Sequence, residues 1–351
     1  MFRALVTLVV IAALAAWPSR GFAQGTPTTD ATPDAEGGTA AETFTIPGET
    51  VFPEGIATDE AAGVFYVGST SDGTVYRGSL DTGTIEVFLP GGEDERTEVT
   101  GMKVDGEGRL VVAGRTTGQV FIYDTESAAL LARYANEPGA DTLVNDVAID
   151  DAGNVYLTDS FRPVLYRLEA GSFPAAGGSA ATPPAPAPPA PAPLPIFLDF
   201  TGTDFEYGDG FNANGLVVTP DGAYVLVVQF DTGQLFRVET ATGGVAEVDL
   251  GDVRLATGDG LLLDGTRLFA VVEESASIVV LDLSDDFLTG SQSGEITDPS
   301  FDFPTTIARA GDRLLVVNSQ LDMGGGGQGP DLPFTVSAVP IPSGDVGTPA
   351  A

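Results

Sequence analysis

Short runs rich in Val, Leu, Phe and Tyr alternate along most of the chain with turns that contain Asp-Gly, Thr-Gly or Pro-Asp-Gly. Such punctuation is typical of short β-strands joined by tight turns. In one stretch it predicts four successive strands: Gly215–Val218, Tyr224–Phe230, Gln234–Glu239 and Val245–Leu250. The pattern therefore predicts an all-β protein.

One sequence unit, a polar residue followed by a small residue (usually Gly) and an aliphatic one, occurs six times. The polar residues are Glu54, Thr100, Asn145, Asn214, Asp259 and Thr305. Their successive spacings are 46, 45, 69, 45 and 46 residues. Four strands in about 45 residues are typical of one β-propeller blade. Residues 43–340 are therefore predicted to form a single six-bladed β-propeller with four-stranded antiparallel blades.

The one long spacing contains a Pro- and Ala-rich segment at about residues 174–194. Such a composition favours an extended polyproline II conformation. The repeat places this segment between the third strand of blade three, Tyr166–Glu169, and the fourth, Ile196–Phe200. It is thus predicted to be an insertion at the outer rim of one blade, and the six repeats still form one domain.

The last repeat contains only three predicted strands, at Thr306–Ala308, Arg313–Gln320 and Pro333–Val339. An additional strand is available at Glu42–Ile46, just before the first repeat. Pairing the two ends of the chain in one blade would remove the free edges of an open array. The propeller is therefore predicted to be closed by an N-terminal strand in blade six.

The two ends of the chain have a different character. Arg3 and the apolar run Ala4–Trp17 predict a signal peptide, residues 1–23, with cleavage near Ala23. Residues 24–42 predict a disordered acidic leader rich in Thr, Pro and Ala, and residues 341–351 a flexible tail. The mature protein is therefore expected to be secreted or periplasmic.

Composition excludes several kinds of chemistry. The chain has no Cys and no His, so thiol nucleophiles, Ser-His-Asp triads and imidazole metal sites are impossible. It has 15 basic and 50 acidic residues, a net charge of −35, which disfavours binding to nucleic acids and membranes. The expected partner is a small molecule, and the protein is expected to be monomeric. A hard cation bound through oxygen remains possible.

The six repeated polar residues are the candidate site. The first strand of each blade lines the central channel of a propeller, so these residues are expected to form one ring. Two are carboxylates and two are amides, and six oxygen ligands fall within the coordination that Ca²⁺ accepts. The alternative is that each polar residue only marks the turn into its blade, and Thr100 and Thr305 fit that interpretation equally well. The ring predicts a divalent cation, Ca²⁺ before others, at Glu54, Asn145, Asn214 and Asp259.

Pro53-Glu54-Gly55, Asn145-Asp146, Asn214-Gly215-Leu216 and Asp259-Gly260, about 45 residues apart, resemble the SMP-30/gluconolactonase family of regucalcin-like six-bladed propellers. The resemblance implies that Glu54, Asn214 and Asp259 hold a divalent metal, with Asn145 at the substrate or as a fourth ligand. It also implies calcium-dependent hydrolysis of a lactone or related ester. Sugar-lactone enzymes often carry an Arg before the first Asn, whereas Thr142-Leu143-Val144 stands here, which argues against a gluconolactone-type substrate.

For such an enzyme, Asp259 is the first candidate for nucleophile or base and Glu54 the second, and Asn145, Thr100 and Arg115 are expected to bind substrate. The residues that end the second strands are expected to surround the channel mouth: Ser69, Arg115, Asp159, Gln229, Glu273 and Asn318. Their mixed polar character indicates a small oxygenated substrate. The loops above the channel are short and are expected to contain few aromatic residues, which favours a small-molecule site over a broad protein interface. The alternative function is a non-catalytic secreted propeller that binds a ligand or protein and holds a structural cation.

Overall fold

Six small antiparallel sheets form a six-bladed β-propeller. The computed structural model describes residues 42–137, 139, 141–177, 190–324 and 329–342, and these residues contain 25 strands and two single-turn 3-10 helices. Five sheets have four strands and the sheet of blade 2 has five. The predicted fold class is therefore confirmed.

The blades follow one another along the chain. Blade 1 contains β2 (Pro53–Asp59), β3 (Val64–Ser69), β4 (Val75–Ser79) and β5 (Ile85–Leu89). Blade 2 contains β6 (Met102–Val104), β7 (Arg109–Ala113), β8 (Gln119–Asp124) and β9 (Leu130–Ala135), with β13 (Ala192–Pro193) at its edge. Blade 3 contains β10 (Val144–Ile149), β11 (Val155–Asp159), β12 (Val164–Leu168) and β14 (Ile196–Asp199).

The second half repeats the arrangement. Blade 4 contains β15 (Ala213–Val218), β16 (Tyr224–Gln229), β17 (Leu235–Glu239) and β18 (Val245–Glu247). Blade 5 contains β19 (Gly258–Asp264), β20 (Arg267–Val272), β21 (Ser277–Leu283) and β22 (Gly290–Ile296). Blade 6 contains β23 (Pro304–Ala310), β24 (Arg313–Asn318), β25 (Thr335–Pro340) and β1 (Glu42–Thr45). The two 3-10 helices are Glu93–Glu95 and Leu321–Met323.

The ring is closed by its first strand, as the sequence predicts. β1 pairs antiparallel with β25, from Glu42 opposite Ala338 to Thr45 opposite Thr335. Its one buried side chain, Phe44, packs in the core between blades 6 and 1. The two ends of the propeller are thus joined by a ladder of backbone hydrogen bonds and by shared apolar packing.

Replacing Phe44 with Ala is expected to lower the free energy of unfolding by about 3–5 kcal/mol, because a buried aromatic ring leaves a cavity. Urea denaturation followed by circular dichroism would measure this loss. Thr43→Ala in the same strand is the matched control, since Thr43 is exposed. Equal midpoints for the two variants would contradict a closing role for β1.

The apolar core lies between the blades. Each of six apolar clusters joins two neighbouring blades, including one between the last blade and the first. The second strand of each blade is buried almost throughout because it faces a neighbour on either side. This packing fixes the first strands around the axis, where the candidate site lies.

The Pro- and Ala-rich insertion leaves after β12 and returns at β14, which pair with each other, as the repeat predicts. The returning arm also forms β13, whose Ala192 and Pro193 pair in parallel with Tyr134 and Ala135 of β9. The sequence pattern does not predict this fifth strand of blade 2. Phe173 in the outgoing arm is buried in the core between blades 2 and 3. Both arms of the insertion are therefore anchored on the two blades.

The predicted signal peptide and nearly all of the leader lie outside the described residues, as does most of the predicted tail, so the expected export stays a prediction. No helix in the described ranges is long and apolar enough to span a membrane.

Candidate active site at the propeller axis

A β-bulge positions the ring residue in five of the six first strands. The strand pairing shifts register between Pro53 and Ile56 in blade 1, and at the equivalent place in blades 3, 4, 5 and 6. The ring residue lies inside the shift each time. Bulges commonly redirect a side chain next to a functional site, and here they direct the repeated polar residues towards the axis.

The small residue after the ring residue is required by close backbone packing. A Cβ atom on Gly55 would lie 2.1 Å from the Thr100 carbonyl oxygen, and one on Gly215 would lie 2.0 Å from that of Asp259. At these two positions neighbouring first strands therefore approach too closely for a side chain, whereas blades 3 and 6 carry Asp146 and Thr306 there. The Gly of the repeat serves the packing of the ring, while the polar residue before it is free to serve the channel.

A cavity of about 370 Å³ lies over this ring. Its polar lining contains all the residues that the sequence assigns to metal, substrate or catalysis: Glu54, Thr100, Arg115, Asn145, Asn214 and Asp259. Glu273, Asp322 and five apolar residues complete the lining. The fold thus brings the predicted set together in one place, although Glu54 and Asp259 are far apart in the sequence.

Three buried oxygen atoms of the ring lack a hydrogen-bond partner. They are Glu54 Oε2, Asn145 Oδ1 and Asp259 Oδ1. All three residues line the cavity and are at least nine-tenths buried. Unpaired buried acceptors cost free energy, and these have the oxygen chemistry that a hard cation prefers. The donor set therefore fits a divalent cation.

Asn214 completes this set. The Asn145 amide nitrogen donates to Asn214 Oδ1 at 2.7 Å and to Ser160 Oγ at 2.9 Å. These bonds fix the Asn145 amide so that its oxygen is the unpartnered atom. Asn214 Oδ1 keeps a second lone pair, because an amide oxygen can accept twice.

The two threonines of the ring behave differently from the other four residues. Thr100 Oγ1 donates to the Val144 carbonyl at 2.8 Å, and Thr305 Oγ1 donates to the Glu54 carbonyl at 3.0 Å. Each hydroxyl thus binds the backbone of the next blade, which is the role expected of a residue at a turn. Thr100 still lines the cavity, whereas Thr305 is not part of its lining.

Of the six residues expected around the mouth, two line the cavity, Arg115 and Glu273. The other four brace loops: Asp159, for example, accepts hydrogen bonds from the backbone N–H groups of Leu143 and Phe161. The strand pairing separates the two groups: Ser69, Asp159, Gln229 and Asn318 each pair with the residue before the ring residue, whereas Glu273 lies one position beyond the equivalent Val272. In blade 2, the pairing of Met102 with Val112 likewise places Arg115 one position further along the chain.

Glu273 is the acidic neighbour that the sequence did not assign to the ring. A hydrogen bond joins its carboxyl group to that of Asp259. Burial raises the pKa of Glu273 to about 7. Burial, and then the Glu273 charge, hold the pKa of Asp259 well above its usual range.

Burial and the nearby Asp146 carboxylate likewise raise the pKa of Glu54, against the weaker opposing influence of Arg115 and Lys103. The site concentrates negative charge that needs a proton or a cation.

This arrangement predicts how the metal-free protein responds to pH. A carboxyl with a raised pKa binds its proton more tightly in the folded state, so it stabilises the fold below the unfolded pKa and this stability is lost as pH rises. For Glu273 this pH window runs from about 4.5 to about 7. The free energy of unfolding lost across it is on the order of 3 kcal/mol. With chelator present, the free energy of unfolding should fall across this window, and less in Glu273→Gln. Equal pH slopes in urea denaturation would contradict the assignment.

No three acidic side chains in the described part of the chain are grouped as a metal site of their own. The candidate set instead combines the carboxylates of Glu54 and Asp259 with the amides of Asn145 and Asn214. Carboxylates and amide carbonyls are both ordinary Ca²⁺ ligands. The fit therefore depends on the amides as much as on the acids.

Aromatic residues surround the mouth, contrary to expectation. Phe211, Phe230 and Phe303 line the cavity together with Leu143 and Leu321. The prediction of few aromatics was wrong because these residues lie in loops and just outside strand ends, where they share no repeat position. The cavity is consequently polar at the ring of axis residues and apolar around its mouth.

These features define the class of the protein, a six-bladed β-propeller with a polar ring at its axis. No family model and no curated protein matches the chain. Solved structures do: a gluconolactonase from Xanthomonas campestris has a TM-score of 0.56 at 19% identity, with 86% of this chain and 90% of that one covered.

The major allergen Mala s 1 of Malassezia sympodialis has a TM-score of 0.61 at 12% identity, covering 84% of this chain and 95% of the other. A catalytically inactive His-to-Ala variant of virginiamycin B lyase from Staphylococcus aureus, with quinupristin, has a TM-score of 0.53 at 10% identity, covering 85% and 98%. At these identities the likeness shows the fold alone.

Proposed function

We propose that this protein is a calcium-dependent hydrolase of the SMP-30/gluconolactonase type, which opens a lactone or related ester at the propeller axis. The observation that carries the proposal is the set of three unpartnered buried oxygens on Glu54, Asn145 and Asp259. These three residues line a cavity large enough for a small ester. The gluconolactonase among the fold neighbours is consistent with it.

A bound Ca²⁺ would polarise the ester carbonyl and favour the ionised forms of the ring carboxylates. Asp259 is the candidate nucleophile or general base, since its Oδ1 is free of hydrogen bonds and the residue lines the cavity. Glu54 is the second candidate for this role. The Asn145 amide group, fixed by Ser160 and Asn214, would orient the substrate.

Glu273 would act through Asp259. Its carboxyl group is hydrogen-bonded to that of Asp259, and would hold the Asp259 side chain in place. Arg115 is the basic side chain of the lining and lies 3.7 Å from Glu98. It would contact an oxygen of the substrate rather than the reacting carboxylate.

A lyase reaction that needs a histidine is not available to this chain, which has none. The virginiamycin B lyase variant among the fold neighbours is catalytically inactive with Ala in place of one His. The shared fold therefore does not imply the same activity for this protein. Ester hydrolysis, in contrast, needs only carboxylates and a hard cation.

The test is hydrolysis of a panel of lactones, aryl esters and organophosphates by the mature protein, with added Ca²⁺ and with chelator. Turnover that requires Ca²⁺ and disappears in Asp259→Ala is the expected result. Absence of turnover for every substrate class would contradict the hydrolase.

A second function, a non-catalytic propeller that binds a ligand and holds a structural cation, is supported by a different observation. The ring residues bond directly between blades, as the Thr305 bond to the Glu54 carbonyl shows, so a cation here would tie several first strands together. Calcium-raised stability without turnover would favour this function.

A further inference from the structure

Three phenylalanines from separate loops form a row that leads from the surface into the cavity. The ring centroids of Phe161 and Phe211 are 5.4 Å apart, and those of Phe211 and Phe230 are 5.6 Å apart. Phe161 and Phe211 are 37% and 40% exposed, whereas Phe230 is half-buried and lines the cavity. The row is continuous with the candidate site.

Single exposed apolar residues are ordinary, but connected apolar surface that runs into a cavity commonly marks a binding site. The same cavity has further apolar lining, from Phe303 and Leu321 of blade 6 and from Leu143 before blade 3. The polar ring lies below. A ligand that fits this shape has a polar reacting group and an apolar part that points outward.

The surroundings of the row disfavour an anionic end on that apolar part. The Asp231 carboxylate lies beside Gly210, where a Cβ atom would approach it to 2.6 Å, and Asp209 precedes that glycine. The nearest basic residue in sequence, Arg162, donates instead to the Tyr166 hydroxyl at 3.1 Å. The row is therefore suited to a neutral chain or ring.

We propose that the substrate is a lactone or ester with a neutral, extended apolar substituent, which lies along the row Phe161–Phe211–Phe230 while the carbonyl group reaches the polar ring. This inference rests on the proposed function and deepens it. The row makes apolar burial, rather than hydrogen bonding to substrate hydroxyls, the main source of specificity.

The experiment uses δ-lactones that differ only in the length of an unbranched alkyl substituent. For the wild-type protein with Ca²⁺, kcat/KM should rise about twofold to fourfold per added methylene, the upper value corresponding to ~0.8 kcal/mol for each buried methylene. In Phe211→Ser the dependence of kcat/KM on chain length should flatten. Val87→Ser is the matched control, because Val87 is an exposed apolar residue in β5.

Calorimetric binding of δ-lactams with the same substituents separates this inference from the hydrolase itself. Affinity that rises with chain length and loses this dependence in Phe211→Ser supports the row, even if no lactone is turned over. Affinity and kcat/KM that are independent of chain length, or equal responses of Phe211→Ser and Val87→Ser, would overturn it.

Discussion

Replacing Asp259 with Asn is expected to make the metal-free protein more stable and to abolish calcium-dependent hydrolysis. Burial and the neighbouring Glu273 disfavour the Asp259 carboxylate, and an amide of the same shape removes that repulsion and can donate to Glu273. A gain of about 1–3 kcal/mol in the free energy of unfolding follows from relief of a buried unfavourable charge. The activity should fall at least about a thousandfold, since the nucleophile or base is lost.

The free energy of unfolding should rise while kcat/KM falls, and this combination distinguishes the expected result from simple damage to the fold. Urea denaturation in chelator and kcat/KM in Ca²⁺ would measure them on the same preparation. Asp285→Asn, at an exposed turn of the same blade, should change neither. A variant of Asp259 that is both less stable and only slightly less active would exclude the proposed role.

The second prediction concerns calcium and stability. A cation that binds only the folded ring raises the free energy of unfolding by about 2.7 kcal/mol at a concentration one hundred times its Kd. For a domain of this size, this corresponds to roughly 4–8 °C in Tm. Glu54→Gln should remove the effect, because one of the two ring carboxylates is lost and the Glu54 side chain borders the cavity.

Differential scanning calorimetry over a calcium titration would measure this shift, with Glu49→Gln as control, since Glu49 is exposed in the loop before blade 1. The shift should weaken as pH falls, because protons compete for carboxylates whose pKa is raised. A Tm that is unchanged by Ca²⁺ in the wild-type protein would mean that the ring is only a turn motif.

The repeat made most of the fold predictable. A period of about 45 residues locates each blade, and the polar residue before Gly locates the ring, because both are dictated by packing around one axis. The strand closing blade 6 was also predictable, since the last repeat lacks one strand and Glu42–Ile46 is available.

What the sequence did not reveal depends on contacts without a period. Ala192 and Pro193 pair with β9 over only two residues, which is too short for the alternation of apolar and polar residues that predicts a strand. The hydrogen bond between Glu273 and Asp259 joins two acidic residues, whereas the equivalent positions in blade 3 carry Asn145 and Ser160; the repeat alone does not show this difference in chemistry. The row of phenylalanines was hidden because Phe161 and Phe211 occupy loops of different lengths.

The closing strand also sets an order on biosynthesis. β1 is the first blade strand to be synthesised, and its partner β25 is the last. The backbone groups of β1 therefore stay unpaired until translation of the propeller is nearly complete. Such an edge invites pairing with other chains. The short sequence Glu42-Thr43-Phe44-Thr45 offers few apolar contacts besides Phe44, and the chain is strongly acidic. A nascent chain can therefore keep this strand exposed at little risk of aggregation, and only a fully translated propeller can cover it.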